Sequence, residues 1–290
     1  MSHTTPIMNI IEYSDPKQFY HILKADFSNN PGKSSFIQGL ASSLCKDPNQ
    51  YEMDPLLATS EDRKRNRIAV FMTPPWPMVL YAEEEINDTM IASLIDYCIE
   101  NGITLTGINA NLSLANAWAK LWCKKMNCLK KSKLKMILYY LQHLLPIPAS
   151  SGYLQLADES YKPILVEWAM KFNESMQLDM KNSYIEHHVY NVLQTKNAFV
   201  WIDDNKPVCM VFGERPFEKG IFIGYVYTPP HLRNKGYATN CVSHVSRYYL
   251  EHGYEFCSLF TDKTNPTTNE IYQKIGYQPI ENYLYYEFNY

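Results

Sequence analysis

In the C-terminal third of the chain, apolar positions follow strand and helix patterns in close succession. Residues 221–227 are aromatic and β-branched, which favours a strand, and Pro229 and Pro230 end that strand because proline cannot donate to a β-ladder. From Ala238 onward, apolar residues recur at helical spacing. The sequence therefore predicts a strand, a tight turn and a helix that begins near Gly236.

A second strand and helix are predicted immediately downstream. Residues 256–261 form a short apolar run that is typical of a buried strand. Asn265 is a favourable N-cap residue, and Gly276 suits the position just after a helix end. Asn269 and Tyr272 lie three residues apart and share one helix face. The pattern predicts a polar face, with an amide and a phenol, near the end of a strand.

The remaining elements after residue 150 follow from alternation and helical spacing. The predicted segments are a strand at 154–156, helices at 161–176 and 184–194, strands at 198–203 and 208–213, and a final strand at 283–290.

The turn between strand 221–227 and its helix has the chemistry of an anion site. The first amides of a helix have no partner within the helix, and the helix dipole places partial positive charge there. Residues 234–239 would supply these amides, while Arg233 and Lys235 add full charges. An ordinary connection with solvated basic residues is the alternative. The turn matches neither a P-loop nor a dinucleotide fingerprint.

Together these segments resemble the GNAT superfamily of acyltransferases. Residues 233–238, Arg-Asn-Lys-Gly-Tyr-Ala, match the Arg/Gln-x-x-Gly-x-Gly/Ala loop of that family, and residues 265–277 match its last conserved helix. Both segments occur in the family's order and separation. The resemblance is specific over residues 197–290, where the residue pattern is similar to that of a bacterial-type branch of the family. It weakens toward the N-terminus.

The resemblance implies that the loop amides bind the pyrophosphate of acetyl-coenzyme A and that the preceding strand contacts its pantetheine arm. The expected cofactor contacts are Val226, Tyr227, Thr228, Arg233, Asn234, Lys235, Gly236, Tyr237, Ala238, Thr239, Asn265 and Asn269. The resemblance also implies that Tyr272 protonates the departing thiolate, a step that a positioned phenol can perform. A half-buried tyrosine on an amphipathic helix is the alternative, since the chain has 23 tyrosines.

A catalytic base is expected because an alkylammonium acceptor, with a pKa near ~10.4, must lose a proton before it attacks. Glu214, at the end of the strand beside the presumed cofactor strand, is the first choice, and Glu218 and His231 are alternatives. For each of them an ordinary surface charge is the competing interpretation. His187 and His188 lie on a helix where family members contact acceptors. Adjacent helical positions do not face one another, so no metal site is predicted.

The first half of the chain is similar to the second in outline. Residues 68–75 and residues 224–230 each end in Thr-Pro-Pro after an apolar strand. A repeat of about 150 residues is typical of a duplicated domain rather than a solenoid. The first copy would not bind a diphosphate, because residues 78–85 end in three glutamates, which would repel it. In the predicted helix 112–120, Trp118 occupies the position that corresponds to the phenol of Tyr272.

The resemblance and the repeat together imply an α/β fold with tandem GNAT-like domains. Each is expected to be a mixed, mostly antiparallel sheet with helices on both faces and a splayed parallel strand pair at the cofactor site. The clearest break in composition is the stretch 146–152, rich in proline and serine. The predicted domains are therefore a degenerate N-terminal copy, residues 1–147, and a catalytic domain, residues 148–290.

Composition narrows the expected partners. The net charge of −3 gives no electrostatic footprint for nucleic acid, and the basic run 124–135 is explained by a solvated turn and strand edge. The seven cysteines contain no Cys-x-x-Cys pair and fit a reducing cytoplasm. No secretory leader is visible, and the most apolar run, 136–148, is shorter than the ~20 residues that span a bilayer, so no membrane is expected. Nothing in the pattern indicates an oligomeric state.

The expected function is direct acetyl transfer from acetyl-coenzyme A to a small-molecule or peptide amine. An alternative from another class is a coenzyme A-binding sensor or scaffold without turnover, because the loop predicts binding better than catalysis. A Fem-type aminoacyl transferase is disfavoured by the acidic chain and the intact pyrophosphate loop.

Overall fold

The computed structural model describes residues 9–83, 86–178 and 180–290. These residues form two compact units. Unit 1 comprises the described residues up to Leu138 together with residues 261–265 and 279–290, and unit 2 comprises residues 139–260 and 266–278. The predicted boundary at residues 147 and 148 falls inside unit 2, in the connection 142–152 between two strands. The division into domains 1–147 and 148–290 stays a prediction.

Helices and strands are interspersed along the described residues. In chain order they are β1 (Asn9–Glu12), α1 (Pro16–Ile22), α2 (Lys24–Asn29), α3 (Pro31–Lys46), β2 (Leu56–Glu61), β3 (Arg67–Met72), β4 (Met78–Tyr81), α4 (Asp88–Glu100), β5 (Gly107–Asn111), α5 (Leu112–Met126), β6 (Leu129–Leu141), β7 (Tyr153–Leu156), α6 (Lys162–Ser175), α7 (Asn182–Gln194), β8 (Ala198–Asp203), β9 (Lys206–Glu214), β10 (Gly220–Tyr227), α8 (Tyr237–Glu251), β11 (Phe256–Asp262), α9 (Pro266–Ile275) and β12 (Gln278–Asn289).

Unit 1 is a mixed sheet with strand order β1-β2-β3-β4-β5-β12-β6. β4 and β5 are parallel, whereas β1–β2, β2–β3, β3–β4 and β5–β12 are antiparallel. Alternation along β3 divides the core into two layers: Ile68 and Val70 pack with α4 and α5, while Ala69 and Phe71 pack with α1 to α3. Helices therefore cover both faces.

Unit 2 repeats this plan with the order β11-β10-β9-β8-β7. β10 and β11 are parallel, and the other pairs are antiparallel. On one face, Val200 and Phe212 pack with Leu165 of α6 and Val189 of α7. On the other face, Phe199 meets Tyr249 of α8 edge to face, with ring centroids 5.8 Å apart. The predicted strands and helices between residues 154 and 277 are all present, with ends shifted by a few residues.

The order of elements is the same in both units, which supports the predicted duplication. The order β2-β3-β4-α4-β5-α5 in unit 1 matches β8-β9-β10-α8-β11-α9 in unit 2, and each unit has a parallel pair joined through a helix. The proposed equivalence of residues 68–75 with residues 224–230 is wrong by one strand. Thr73-Pro74-Pro75 lies in the hairpin after β3, whereas Thr228-Pro229-Pro230 follows β10, the counterpart of β4.

Three features differ from the sequence-based prediction. Helices α1 to α3, which fill one face of unit 1, were not predicted. The segment 78–85, expected in place of the basic loop, contains strand β4, and Glu84 and Glu85 lie outside the described residues. The final strand was expected in the C-terminal domain, but β12 pairs with β5 in unit 1. Across the described ranges, no helix combines the length and hydropathy needed to cross a membrane.

Candidate active site

The predicted anion loop is built by a helix start without a side-chain cap. β10 ends at Tyr227, a short 3-10 turn covers residues 230–232, and α8 begins at Tyr237. Gly236 precedes it with φ of 82°, and no side chain caps the helix there. A Cβ at Gly236 would meet its nearest neighbours, in Asn240 and Ser150, only at 3.6 Å. The helix start is therefore open enough for a ligand to approach the backbone.

Two side chains of this loop have structural partners. The Arg233 Nε donates to the Thr228 carbonyl oxygen at 3.0 Å, which fixes the loop against the end of β10. The buried Tyr237 hydroxyl donates to Asp203, which also accepts from the Ser151 hydroxyl at 2.9 Å. These hydrogen bonds lower the pKa of the Asp203 carboxyl. Tyr237 thus anchors α8 through its phenol, and a contact with a ligand would have to use its amide.

The end of β10 leaves the sheet on both sides. Its parallel pairing with β11 covers three residue pairs and ends at Phe222 and Ser258, although β10 continues to Tyr227. On the other side, a bulge between Gly224 and Tyr227 interrupts the pairing with β9. The backbone of Val226 is thereby removed from both ladders, as expected for bulged residues. The predicted splayed strand pair is present at this point.

Glu214 lies at the end of β9, and its side chain contacts a histidine of α7. It is 7% exposed, and its Oε1 lies 2.8 Å from the Nε2 of His188 on α7. Burial raises the pKa of the Glu214 carboxyl, but His188, through its charge and its hydrogen bond, and Arg215 outweigh burial and hold that pKa below its ordinary value. The carboxylate therefore stays ionised at neutral pH.

Aromatic rings surround this Glu214–His188 pair. Tyr225 sits in the bulge with φ of 49°, a conformation rare for residues other than glycine. Its ring centroid lies 4.8 Å from that of His188 and 5.3 Å from that of Phe212. Tyr184, one turn before His188, stacks on the imidazole at 6.4 Å. The bulge thus turns an aromatic ring toward the dyad, a geometry that suits recognition of a cationic group.

Tyr272 is placed on the opposite face of the sheet from Glu214. Its α9 side chain is 7% exposed and lies near Cys209, whose thiol is close to Cys241 of α8. Cys209 and Glu214 are five residues apart on β9, so their side chains point to different faces. Burial raises the pKa of the Tyr272 phenol far above its ordinary value. The phenol therefore stays protonated, which is the form that a proton donor requires.

The two predicted asparagines differ in their surroundings. The Asn269 Oδ1 accepts from the Tyr139 hydroxyl at 3.2 Å, and Gln273 donates to the same hydroxyl at 3.1 Å. Asn269 is thus held in place by β6. Asn265 is exposed. Its backbone N–H donates to the Asp262 carbonyl oxygen at 3.1 Å, just before α9 begins. The two alternative bases, Glu218 and His231, are both exposed.

The sequence did not indicate that His188 is the hydrogen-bond partner of Glu214. On α7 it follows the buried Ile185 by three residues and precedes the buried Val189, so it shares their phase and points toward the sheet. His187 is exposed and stacks on Tyr190. Helical phase could have separated the two histidines, but only tertiary packing identifies Glu214 as the partner. No cluster of three or more metal-ligating side chains occurs within the described parts of the chain.

Unit 1 has a closed helix start at the corresponding place. The Asn87 Oδ1 accepts from the Met90 amide at 3.0 Å, and Asp88 adds negative charge in the first turn of α4. In α5, Trp118 is fully buried and, like Tyr272 in α9, is the seventh residue of its helix. The loss of diphosphate chemistry in the first copy stays a prediction. The groups that would oppose a diphosphate at this helix start are at 87–88, whereas the predicted segment was 78–85.

The comparison with protein families finds one match, mostly within unit 2. Residues 162–277 match the model of the acetyltransferase (GNAT) family. This range contains the Glu214–His188 pair, the bulge of β10, the start of α8 and Tyr272. No curated protein matches the sequence.

Solved structures with the same fold cover nearly the whole chain. A protein from Drosophila has 12% identity and a TM-score of 0.65, over 98% of this chain and 99% of its own. A GNAT-family acetyltransferase from Colwellia psychrerythraea has 12% identity and a TM-score of 0.61, over 97% and 100%. A tandem GNAT protein from the clavulanic acid biosynthesis pathway has 8% identity and a TM-score of 0.55, over 97% and 98%. At these identities the similarity shows the fold, and the predicted tandem GNAT-like fold is confirmed.

Proposed function

Because residues 162–277 carry a domain of the acetyltransferase (GNAT) family, we propose that the protein transfers an acetyl group from acetyl-coenzyme A directly to a primary amine. One observation carries this proposal. The uncapped start of α8 at Gly236 follows a segment of β10 that has left both neighbouring strands, and Glu214 ends the adjacent strand β9. An uncapped helix start, a strand segment outside both ladders and an ionised carboxylate thus occur within one small domain.

The residues at the start of α8 fit a diphosphate. The amides of residues 236–239 precede the first intrahelical hydrogen bond, from the Asn240 amide to the Gly236 carbonyl oxygen, and such amides bind anions. Arg233 and Lys235 add positive charge on exposed positions. The Thr228 hydroxyl is buried and has no hydrogen-bond partner among the described residues, so it is available to a polar group of the ligand.

The remaining predicted contacts would bind the rest of the cofactor. The main chain of Val226 and Tyr227 would hold the pantetheine arm as an added strand, and Asn265 and Asn269 would lie beside it. When bound, acetyl-coenzyme A supplies an activated thioester carbonyl and a thiolate leaving group.

Glu214 and His188 would remove the proton from the acceptor. The ionised carboxylate attracts an ammonium group, and the rings of Tyr225 and Tyr184 provide faces that favour the same charge. His188, which is hydrogen-bonded to Glu214, would pass the proton onward to solvent. The acceptor amine is then neutral and nucleophilic. The phenol of Tyr272, kept protonated by burial, would supply a proton to the leaving thiolate.

Two measurements test binding and chemistry separately. Coenzyme A at a hundredfold excess over its dissociation constant should stabilise the folded protein by about 2.7 kcal/mol, seen as a rise in melting temperature. Lys235→Gln should weaken this binding, whereas Lys206→Gln, at another exposed lysine of unit 2, should not. The absence of a melting shift at millimolar coenzyme A would refute the proposal.

Turnover is measured as thiol release from acetyl-coenzyme A with a panel of primary amines and amino acids. Tyr272→Phe should lower turnover by about a hundredfold and leave the coenzyme A melting shift intact, since the phenol is proposed to act in proton transfer. Tyr254→Phe, a half-buried tyrosine of the same unit, is the matched control and should be active. Binding without acceptor-dependent thiol release would favour the sensor or scaffold function instead.

The cysteines support a reducing compartment, so we place the protein in the cytoplasm. All seven are free thiols. The sulfurs of Cys123 and Cys128 lie only 3.5 Å apart without a bond, and an oxidising compartment would favour their joining.

A further inference from the structure

Unit 1 contains a cavity of about 450 Å³ at the place where its parallel strands separate. The pairing of β4 with β5 covers Met78–Ile108 and Val79–Asn109, and both strands continue past it. Leu80, Ile91 and Ala117 contribute apolar surface to the cavity, and Glu83 and Glu281 contribute carboxylates. A volume of this size is in the range of small-molecule sites.

The cavity is not suited to a nucleotide-bearing cofactor. The adjacent helix α4 has its N-terminal amide of Met90 occupied by the Asn87 side chain, and Asp88 places negative charge in its first turn. A diphosphate would have to displace the cap and approach a carboxylate, which is electrostatically unfavourable. A ligand of this cavity should therefore lack phosphate groups.

The charges in the lining favour a cation. Glu281 forms an ion pair with Lys33, with the Nζ and the carboxylate oxygen 3.4 Å apart. Glu83 accepts a hydrogen bond from the Asn29 amide at 3.3 Å and makes no ion pair with another described residue. With Lys33, Glu83 and Glu281 ionised, the lining carries one net negative charge. An ammonium group would find an uncompensated carboxylate at Glu83 and apolar surface around it.

We propose that this cavity binds a small organic amine with an apolar body, its ammonium group on Glu83 and its hydrocarbon part against Ile91, Leu114 and Ala117. The site has residues separate from those proposed for acetyl transfer, and it does not depend on that function. Unit 1 then carries a binding site of its own in place of the diphosphate chemistry that its helix start excludes.

The test uses the full chain labelled at the methyl groups of isoleucine, leucine and alanine. n-Pentylamine and benzylamine are titrated and followed by NMR, with pentanoate and pentan-1-ol as the anionic and neutral counterparts. The amines should shift the Ile91, Leu114 and Ala117 methyl resonances with saturation. Pentanoate should produce no saturable shift, and pentan-1-ol should bind at least tenfold more weakly, because only the amines carry the charge that Glu83 attracts.

Two variants locate the interaction. Glu83→Gln should raise the dissociation constant of the amines at least tenfold, while Glu100→Gln, which removes the same charge from an exposed position of unit 1, should leave it unchanged. Three results would overturn the proposal: no saturable shift with either amine, equal binding of pentanoate, or an unaltered affinity in Glu83→Gln. Saturable shifts of the same methyl groups with coenzyme A would overturn it as well, by showing that the cavity accepts the nucleotide.

Discussion

At the scale of single residues, the proposed chemistry depends on neighbours that are distant in sequence. Glu214 and His188 are 26 residues apart and belong to a strand and a helix, yet they form one hydrogen-bonded pair. A buried carboxylate without a partner would be protonated, because burial disfavours the charged form. His188 and Arg215 reverse that effect at Glu214. In the proposed mechanism the hydrogen-bonded pair, rather than either residue alone, receives the proton of the acceptor amine.

The pH dependence of turnover tests the proposed role of His188. His188→Gln should lower turnover by about a hundredfold at pH 7, because the acceptor amine must then lose its proton without assistance. The deficit should shrink as the pH approaches ~10.4, where a free alkylamine is already neutral. Steady-state kinetics from pH 6 to 10 provide the measurement, with His187→Gln as the exposed neighbouring control. A deficit of constant size across this range would assign His188 a purely structural role.

Ionised Glu214 should also stabilise the folded protein, and this contribution to the free energy of unfolding should be lost on acidification. Its folded-state pKa is below the ordinary value of 4.5, so its ionised form contributes stability that is complete above about pH 4.5 and is lost as the pH falls through the folded-state pKa. The difference in unfolding free energy between the native protein and Glu214→Gln should therefore shrink on acidification. Urea titrations between pH 3 and 7 measure this difference. Glu251→Gln, at an exposed position, serves as the control, and a difference that grows toward low pH would contradict the assignment.

At the scale of elements, the start of α8 combines a glycine conformation with an uncapped helix terminus. Some helices of this chain begin with a side chain that accepts from an early amide, as Asn87 and Asn111 do in α4 and α5, whereas α6 and α7, like α8, begin without one. In α8 the corresponding position is Gly236, which has a left-handed backbone conformation and no side chain that could accept a hydrogen bond. The first amides consequently stay available to an external anion. The same helix also ends near a glycine with positive φ, Gly253 at 97°.

The glycines that flank α8, at positions 236 and 253, provide a matched pair of substitutions. Gly236→Ala and Gly253→Ala each force alanine into the left-handed region, which should lower the unfolding free energy by about 1 kcal/mol. An added Cβ finds 3.6 Å of clearance at Gly236 and open space at Gly253, so strain rather than collision dominates both. Only Gly236→Ala should weaken coenzyme A binding, as measured by calorimetry. Equal loss of affinity in both variants would indicate a general effect on the helix.

The elements of unit 2 were predictable because each carries local signals. Asn265 and Gly276 flank α9 at the expected positions, and the apolar spacing from Ala238 fixes α8. The bulge in β10 was not predictable, because Tyr225 adopts a positive φ that its residue type disfavours and that tertiary packing, against His188 and Phe212 among others, supports. The same holds for α1 to α3, where buried serines such as Ser34 and Ser35 obscure the apolar stripe.

At the scale of the whole molecule, duplication is visible in topology rather than in sequence. Both units contain a parallel pair connected through a helix, but the apparent Thr-Pro-Pro repeat pointed to the wrong pair of strands. The strand β12 shows a second limit of sequence reasoning. Its alternation identifies a strand correctly, whereas its partner β5 lies about 170 residues earlier in the chain, and no local pattern encodes a pairing of that range.

The placement of β12 predicts which part of the molecule a C-terminal substitution weakens. Phe288 is 6% exposed and packs on Trp122, with ring centroids 6.0 Å apart, so Phe288→Ala should lower the unfolding free energy by about 3 kcal/mol. Because β12 pairs with β5, amide hydrogen exchange should accelerate in residues 107–111 while the strands of unit 2 stay protected.

Phe217→Ala is the matched substitution in unit 2, since Phe217 is 4% exposed and packs on Phe256 with ring centroids 5.7 Å apart. It should give the reverse pattern, with faster exchange in β10 and continued protection in β5, because the lost contacts lie in the other core. If both substitutions accelerated exchange equally in both units, the two compact units would unfold as one. The assignment of the C-terminal strand to a separate core would then have no consequence for stability.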